Sequence, residues 1–278
     1  MKAAMTRFKP ALIPGVSLEF TRLDQALDAL CMSHIELLKT LQVSPAWPYP
    51  AALDGWKLGH DAIRYDMDAI MDALETCKST VVTRNKPLPE WQVQLLKSLM
   101  RSFYYHVHRQ LRHKRRVLFP WLATRVNLPA KMMDYDEPTL LALTDRVRDL
   151  CENLNPGGSA SVKMAVRELH AAFLVLRTLL RQQMEREEVL GLPLMRKFFT
   201  AREAAVVEKK RISQMKFAEL AWLLRPLADA ERRATFTRLG IPGLVQTLVL
   251  LPALRRADRE VLRAHRELAS GERLRQKQ

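Results

Sequence analysis

The sequence is poor in the residues that build disulfide-rich or β-rich proteins. Its 278 residues include only 9 glycines and 3 cysteines, and few segments alternate polar and apolar residues with a period of two. Leu, Ala, Arg, Lys and Glu are abundant instead. Hydrophobic residues make up 48% of the chain, which excludes a disordered polypeptide and provides a sizeable core. We therefore predict an all-α protein.

The cysteines exclude two further classes of protein. Cys31, Cys77 and Cys151 are far apart, odd in number and form no Cys-x-x-Cys pair. This spacing argues against a disulfide framework and against a zinc ribbon, and it indicates an intracellular, reducing compartment. Each cysteine falls on or near an apolar helix stripe, so we expect buried structural side chains.

No segment is typical of a transmembrane helix or of a secretory signal. The best apolar run, residues 244–254, is about half of the ~20 residues that a bilayer requires, and it contains Gln246 and Pro252. Residues 1–22 are basic and lack an apolar core, which leaves a mitochondrial or plastid targeting segment as an alternative.

Apolar residues recur at the three- and four-residue spacing of a helix in five long segments. The second to fifth, joined by short connections, suit an antiparallel four-helix bundle, with the first helix packed alongside it or over one end. The predicted helices are 17–41, 56–74, 91–121, 139–154 and 166–190, the last ending before Gly191 and Pro193.

The predicted organisation has three parts. Residues 1–52 hold an N-terminal segment and the first helix, residues 53–198 form the bundle, and residues 199–278 form a basic helical extension. Thr200 and Glu203 fit a capping box, the pattern that opens a helix. Further helices are predicted at about 203–224, 229–239, 243–254 and 256–270.

Two predicted helices interrupt their apolar stripes with polar residues in the same pattern. The third helix carries Gln110 and Lys114, and the fifth carries Gln183 and Glu187. A proline follows ten residues after the first member of each pair. Because residues i and i+4 share one helix face, both pairs would project into the bundle interior. Buried polar groups are costly unless they bond to one another, so the pattern indicates a site.

This repeat resembles the hemerythrin (HHE cation-binding) family, whose ligand helices read His-x-x-x-Glu followed by an apolar residue and Pro. Residues 59–64 are similar to the first ligand helix of that family, and residues 115–120 and 187–193 resemble the ends of its second and fourth helices. The Ala-Trp-Leu-Leu stretch at 221–224 resembles the segment after the hemerythrin repeats of Brutus-type plant and algal proteins. The resemblance covers about residues 53–225 and implies a four-helix bundle.

The departures from that family concern its di-iron ligands. The resemblance places His60 and Glu187 at ligand positions. Gln110 and Gln183 stand where the family has His, and Lys114 stands where it has Glu. Iron needs imidazole and carboxylate donors, and a protonated lysine cannot ligate. We therefore expect no cofactor; the alternative is a di-iron centre that uses His60 and Glu187.

Charge balance predicts a replacement for the metal. Without two metal cations, a buried Glu187 carboxylate would have no counter-charge, which is untenable. We predict that Lys114 on the facing helix supplies that charge and that the amides of Gln110 and Gln183 complete the hydrogen bonds. We call this arrangement a pseudo-metal site.

Simpler explanations stay open for the same residues. His60 is alternatively an ordinary core histidine, and Glu187 alternatively belongs to a solvated acidic cluster with Glu185 and Glu188. A third alternative is a metal site in a shifted position. Its candidate ligands are His106, His108, His113 and His170.

The charge of the chain is strongly basic. The net charge is +15, and residues 195–278 alone contain 19 Lys and Arg against 9 Asp and Glu. Basic side chains bind phosphates through counterion release, whereas a solvated helix face is the ordinary explanation for such a run. The candidate anion-binding residues are Arg109, Arg112, Arg115, Arg116, Lys209, Lys210 and Arg211.

The motifs of common enzyme families are missing from the sequence. It contains no GxSxG, Walker loop, GxGxxG or HExxH sequence, so we expect no enzyme. The leading hypothesis is a degenerate hemerythrin-like protein that acts as a structural or interaction module, with protein partners in an organellar assembly. The alternatives are an iron- or oxygen-sensing metal protein and a scaffold for RNA or another anionic partner.

Overall fold

The computed structural model describes residues 47–128, 132 and 137–274. Within these ranges the protein is helical and has no β-strand, which confirms the predicted all-α class. The predicted first helix, Cys31 and the basic N-terminal segment lie outside the described residues. The eight main helices of the described ranges are α1 Gly55–Lys78, α2 Glu90–His113, α3 Glu137–Glu152, α4 Ala160–Phe198, α5 Ala201–Ser213, α6 Phe217–Leu224, α7 Asp229–Arg238 and α8 Leu251–Ser270.

Helices α1 to α4 contact one another in a closed cycle. Helix α1 packs against α2 and α4, and α3 packs against the same two helices. An isolated β-bridge between Leu88 and Gly157 joins the α1–α2 connection to the α3–α4 connection. The apolar stripe of α1 faces inward, since Met67, Ile70 and Leu74 are fully buried. Burial of these stripes supplies most of the stabilisation, because short helices are marginal in water by themselves.

The later helices pack onto α1 and α2. Helix α8 contacts both of these helices, and α6 contacts α1 and α8. The Trp222 indole N–H of α6 donates to Asp66 of α1 at 2.8 Å, and its ring stacks on His106 of α2 with centroids 4.0 Å apart. Phe236 and Leu268 belong to the same hydrophobic cluster as the α1–α4 interior. One core therefore extends across the predicted boundary at residue 198.

Two of the π turns in the structure lie just before a proline. Pro120 and Pro252 each follow a π turn by two residues. In a regular helix a proline clashes with the carbonyl four residues earlier and donates no hydrogen bond, and a wider turn relieves that clash. The short segments are the 3₁₀ turn Ala51–Leu53, the π turns Ser79–Thr83, Lys114–Leu118 and Gln246–Leu250, and the helical pieces Phe119–Leu122 and Gly243–Val245.

The predicted end of α4 is wrong. The helix continues through Gly191 and Pro193 to Phe198. A β-carbon on residue 191 would lie 2.1 Å from Cη2 of Trp56, so glycine is needed here for the close approach of α1 and α4 and does not mark a helix end. Packing against the Trp56 ring thus overrides the local helix-breaking tendency of glycine.

The helix boundaries after residue 198 also differ from the predicted ones. The capping box is confirmed, because Thr200 and Glu203 bond to each other's backbone N–H groups at the start of α5. The predicted helix 203–224 is divided by residues 214–216, and the predicted helices 243–254 and 256–270 form one continuous segment. None of the helices in the described part of the chain is long and apolar enough to cross a membrane.

We predict that Gly191→Ala destabilises the fold although alanine is the better helix former. Overpacking against a buried ring costs about 1–3 kcal/mol, which exceeds the ~1 kcal/mol gain in helix propensity. Urea unfolding measures the change. Gly243→Ala is the matched control, because a β-carbon at residue 243 meets no atom within 4 Å. Equal stability of the two variants would contradict this packing argument.

Candidate functional site

The candidate site lies at the boundary between two hydrophobic clusters. On α4, Glu187 lies between Met184 of the main cluster and Leu192 of a second cluster. In the π turn that follows α2, Lys114 lies between Leu111 of the main cluster and Leu118 of the second cluster. Polar residues therefore meet inside the protein at one level along its helices.

The Glu187 carboxylate accepts hydrogen bonds on both oxygens. Its Oε1 accepts from Lys114 Nζ at 2.5 Å and from Gln183 Nε2 at 2.6 Å. Its Oε2 accepts from Trp56 Nε1 at 3.1 Å and lies 3.2 Å from His60 Nε2. Since Glu187 is 1% exposed and Lys114 5% exposed, the pair forms a buried salt bridge. The predicted contact between Lys114 and Glu187 is confirmed, and the solvated alternative for Glu187 is wrong.

His60 lies between two carboxylates. Its Nε2 faces Glu187, and its Nδ1 lies 2.8 Å from Glu188 Oε1. The Nδ1 contact is a hydrogen bond and the Nε2 contact is at ion-pair distance, so a protonated ring, which is positive and has two N–H groups, suits both carboxylates. Burial lowers the pKa of His60, but the hydrogen bonds to Glu187 and Glu188 outweigh it and raise the pKa above the ordinary value. The raised pKa and the two flanking carboxylates both favour the imidazolium form of His60.

Glu188 extends the site toward the surface. Its Oε1 accepts from Arg64 Nη1 at 2.6 Å, and Lys57 Nζ lies 3.8 Å from Oε2. Burial raises the pKa of Glu188, but the His60 and Arg64 contacts outweigh that effect and hold the pKa near about 2. The alternative of a solvated acidic cluster would place Glu188 at the surface with Glu185, but of these two only Glu185 is exposed.

We name this set of side chains the Glu187 network. Positive and negative groups alternate along it, from Lys114 through the two glutamates and His60 to the edge of the protein. Burial raises the pKa of Glu187, but the Lys114 ammonium and the His60 ring lower it to about 2. The members of the network are Trp56, His60 and Arg64 of α1, Lys114 at the end of α2, and Gln183, Glu187 and Glu188 of α4.

Gln110 has a different partner from the predicted one. Its Oε1 accepts from Arg211 Nη2 of α5 at 2.6 Å. Arg211 also donates to the Gly55 carbonyl at 3.1 Å. A β-carbon on Gly59 would lie 2.0 Å from Gln110 Nε2, so glycine at this position makes room for the amide. The expectation that Gln110 bonds to Glu187 is not met, whereas the expectation for Gln183 is confirmed.

The donor set of the Glu187 network does not fit a di-iron centre. Four donors already surround the Glu187 carboxylate, and both ring nitrogens of His60 face carboxylates. The nearest additional side chains are an ammonium and amides, which are poor iron ligands. A metal ion at this place would therefore have to displace Lys114 and deprotonate His60.

The candidate histidines of the shifted metal site have different surroundings and do not form a cluster. His106 stacks on Trp222, His108 packs on Tyr104 with centroids 4.2 Å apart, and His170 Nε2 lies 2.6 Å from Glu75 Oε1. Burial and two neighbouring arginines lower the pKa of His113 to about 3. Across residues 47–128, 132 and 137–274, no group of three or more His, Cys, Asp or Glu side chains is arranged to hold a metal ion.

Most of the predicted anion-binding residues lie at the surface. Arg109 pairs with Glu219 of α6 at 2.5 Å, and Arg115 Nη1 lies 3.4 Å from Glu137. Arg211 is buried beside Gln110 and does not belong to that surface. The exposed candidates are Arg112, Arg115, Arg116, Lys209 and Lys210.

Comparison with known proteins gives no match: no protein-family model fits the chain, and no curated protein or solved structure is significantly similar to it.

We predict that Lys114→Met costs about 3–5 kcal/mol, because it leaves the buried Glu187 charge without its ammonium partner. Adding Glu187→Gln should recover most of the loss, since the amide removes the charge and keeps an oxygen for Trp56 Nε1. Denaturant unfolding of the two single variants and the double variant measures the coupling.

The matched control for this cycle is an ion pair of α2 at the surface. Arg101 pairs with Glu152 in two exposed hydrogen bonds. Arg101→Met and Glu152→Gln should change stability little, because solvent screens exposed pairs. A Lys114→Met, Glu187→Gln double variant no more stable than Lys114→Met alone would show that the two side chains are not coupled.

We also predict that the stabilisation contributed by His60 falls as the pH rises through the neutral range. Because the folded pKa of His60 is raised, its contribution is complete below the unfolded pKa of about 6.5 and is lost as the pH rises through the folded value. His108, His113 and His265 have lowered pKa values and give the opposite slope up to about pH 7, so it is the His60 contribution to the free energy of unfolding that should decline between about pH 6.5 and about pH 8. His60→Gln should flatten this decline, and an unchanged slope would contradict the imidazolium assignment.

Proposed function

We propose that the protein is a degenerate hemerythrin-like bundle, without enzymatic activity, that serves as a structural and interaction module. The single observation that carries this proposal is the Glu187 network. Four of its members, His60, Lys114, Gln183 and Glu187, are at positions where the resemblance implies metal ligands, and a lysine and an imidazolium balance the charge there. The cyclic contacts of α1 to α4 and the bridge between their connections support the antiparallel four-helix arrangement of that family.

The Glu187 network has a structural task in this proposal. It ties α1, α2 and α4 together at one level, so a shift of any one helix along its axis would break charge-assisted hydrogen bonds. Buried ion pairs contribute little net stability compared with apolar packing, but they can specify a single arrangement. Di-iron centres join helices through shared ligands, and here salt bridges would provide the same connection.

An exposed apolar surface supports the interaction role. Leu244, Val245, Leu248 and Val249 precede α8 and are 73%, 41%, 66% and 57% exposed. They recur at spacings of one and four residues, so they share one face of a helix. Large contiguous patches of exposed apolar side chains mark interaction sites on proteins. We propose that another protein of a larger assembly, in an organelle, covers this face.

The test uses the full chain recovered under native conditions from cells that contain it. We predict a complex well above the 32.0 kDa of the chain on native electrophoresis and far less than one iron per chain by elemental analysis. The variant Leu244→Ser with Leu248→Ser should run at the mass of the free chain.

Matched substitutions at other exposed apolar residues serve as the control. Met164 and Val206 are 69% and 66% exposed on α4 and α5, and their change to serine should leave the large complex intact. Two irons per chain would contradict the degenerate assignment and favour the iron-binding alternative. If the unsubstituted protein ran at the mass of a single chain on native electrophoresis, the interaction role would be contradicted, even when the protein contains no iron.

A further inference from the structure

A groove outside the Glu187 network lies between α2 and the α5–α6 turn. Its volume is about 430 Å³, which is within the range of small-molecule sites. One wall is the face of α2 that runs from Tyr104 to Val117, and the other contains Arg211 and Trp222. We name it the Arg211 groove.

The Arg211 groove carries an excess of positive charge. Four arginines line it, namely Arg109, Arg112, Arg116 and Arg211, against one carboxylate, Glu219. The Glu219 carboxylate already has hydrogen-bond donors, because its Oε1 accepts from both Arg109 and the Tyr105 hydroxyl. Within the described ranges, Arg112 and Arg116 form no ion pair. Three positive charges in the groove are therefore without a counter-charge of their own.

The buried Arg211 guanidinium is the clearest sign of this imbalance. Arg211 is 8% exposed, and its hydrogen bonds go to neutral acceptors, Gln110 Oε1 and the Gly55 carbonyl. The nearby carboxylate of Glu208 pairs with Arg238 instead. Burial lowers the pKa of Arg211 to about 10; the Glu208 carboxylate, which Arg211 shares with Arg238, counteracts this in part, and the charge of Arg109 adds to it. A buried charge without an ionic partner is costly, and an anion in the groove would offset that cost.

The shape and chemistry of the walls indicate the kind of anion. Guanidinium groups recognise phosphate oxygens with paired hydrogen bonds. Of the aromatic rings that line the groove, Tyr105 is 47% exposed, whereas Trp222 is buried against His106. Aromatic faces and arginines together suit a small organic molecule with both a ring and a phosphate.

We propose that the Arg211 groove binds a small phosphorylated molecule, with Arg112, Arg116 and Arg211 around its phosphate or pyrophosphate group. This site is independent of the proposed structural role and remains in place whether or not the apolar face near α8 binds a partner.

Calorimetric titration of the full chain with inorganic pyrophosphate and with ATP tests the proposal. We predict one site per chain for both probes, with tighter binding of ATP, and no comparable heat from sulfate at the same ionic strength. Arg112→Ala with Arg116→Ala should weaken binding by at least about tenfold, because charge-assisted hydrogen bonds to the phosphate are lost. Both residues are exposed, so the variant should fold normally.

The control removes two charges elsewhere on the surface. Arg256 and Arg259 of α8 are exposed and do not line the groove, so their change to alanine should leave the affinity within about twofold. An equal loss in both double variants would overturn the site in favour of unspecific attraction. Binding of a short RNA but of neither small probe would overturn it as well and support an extended polyanion partner. Absence of binding by every probe would also contradict the proposal.

Discussion

A buried carboxylate needs counter-charge, and the arrangement around Glu187 follows from that requirement. In an interior of low polarity, an isolated ion costs far more than the few kcal/mol that stabilise a typical domain. Glu187 is 1% exposed and ionised, with its pKa held near about 2 by Lys114 and His60. Each of its neighbours is placed by this need: an ammonium and an amide on one oxygen, an indole and an imidazolium on the other.

The position of the Glu188 carboxylate follows from the charge of Glu187, through His60. A protonated His60 has two N–H groups, and the one that points away from Glu187 also requires an acceptor. Glu188 provides that acceptor, and Arg64 then balances the charge of Glu188 near the surface. The charges thus alternate from the interior to the solvent. Each charged side chain of the Glu187 network relies on the next one for its counter-charge. Such coupling explains why helices α1, α2 and α4 keep one relative position.

Sequence patterns predicted the helices and the centre of the site. The i, i+4 polar pairs were sufficient to bring Lys114 and Glu187 together, because both lie on otherwise apolar stripes and charge balance requires a partner. Glu188 and Arg64 were missed, since Glu188 is one residue off the stripe and becomes buried only because α1 and α4 pack closely there.

Other features depended on tertiary contacts that no local pattern contains. Gly191 and Pro193 are typical of a helix end, yet α4 continues through them because the Trp56 ring fills the space beside the glycine. Trp56 is buried, and its bond to Glu187 arises from that same close approach. Gln110 bonds to Arg211, which is 101 positions away in the sequence.

The protonation state of His60 tests the central claim most directly. Nitrogen-15 NMR of the imidazole ring reports whether each ring nitrogen carries a proton. A charge network in place of a metal centre predicts that both nitrogens of His60 are protonated at neutral pH and stay so above the ordinary pKa of histidine. A neutral ring, or a ring nitrogen bound to a metal ion, would contradict it.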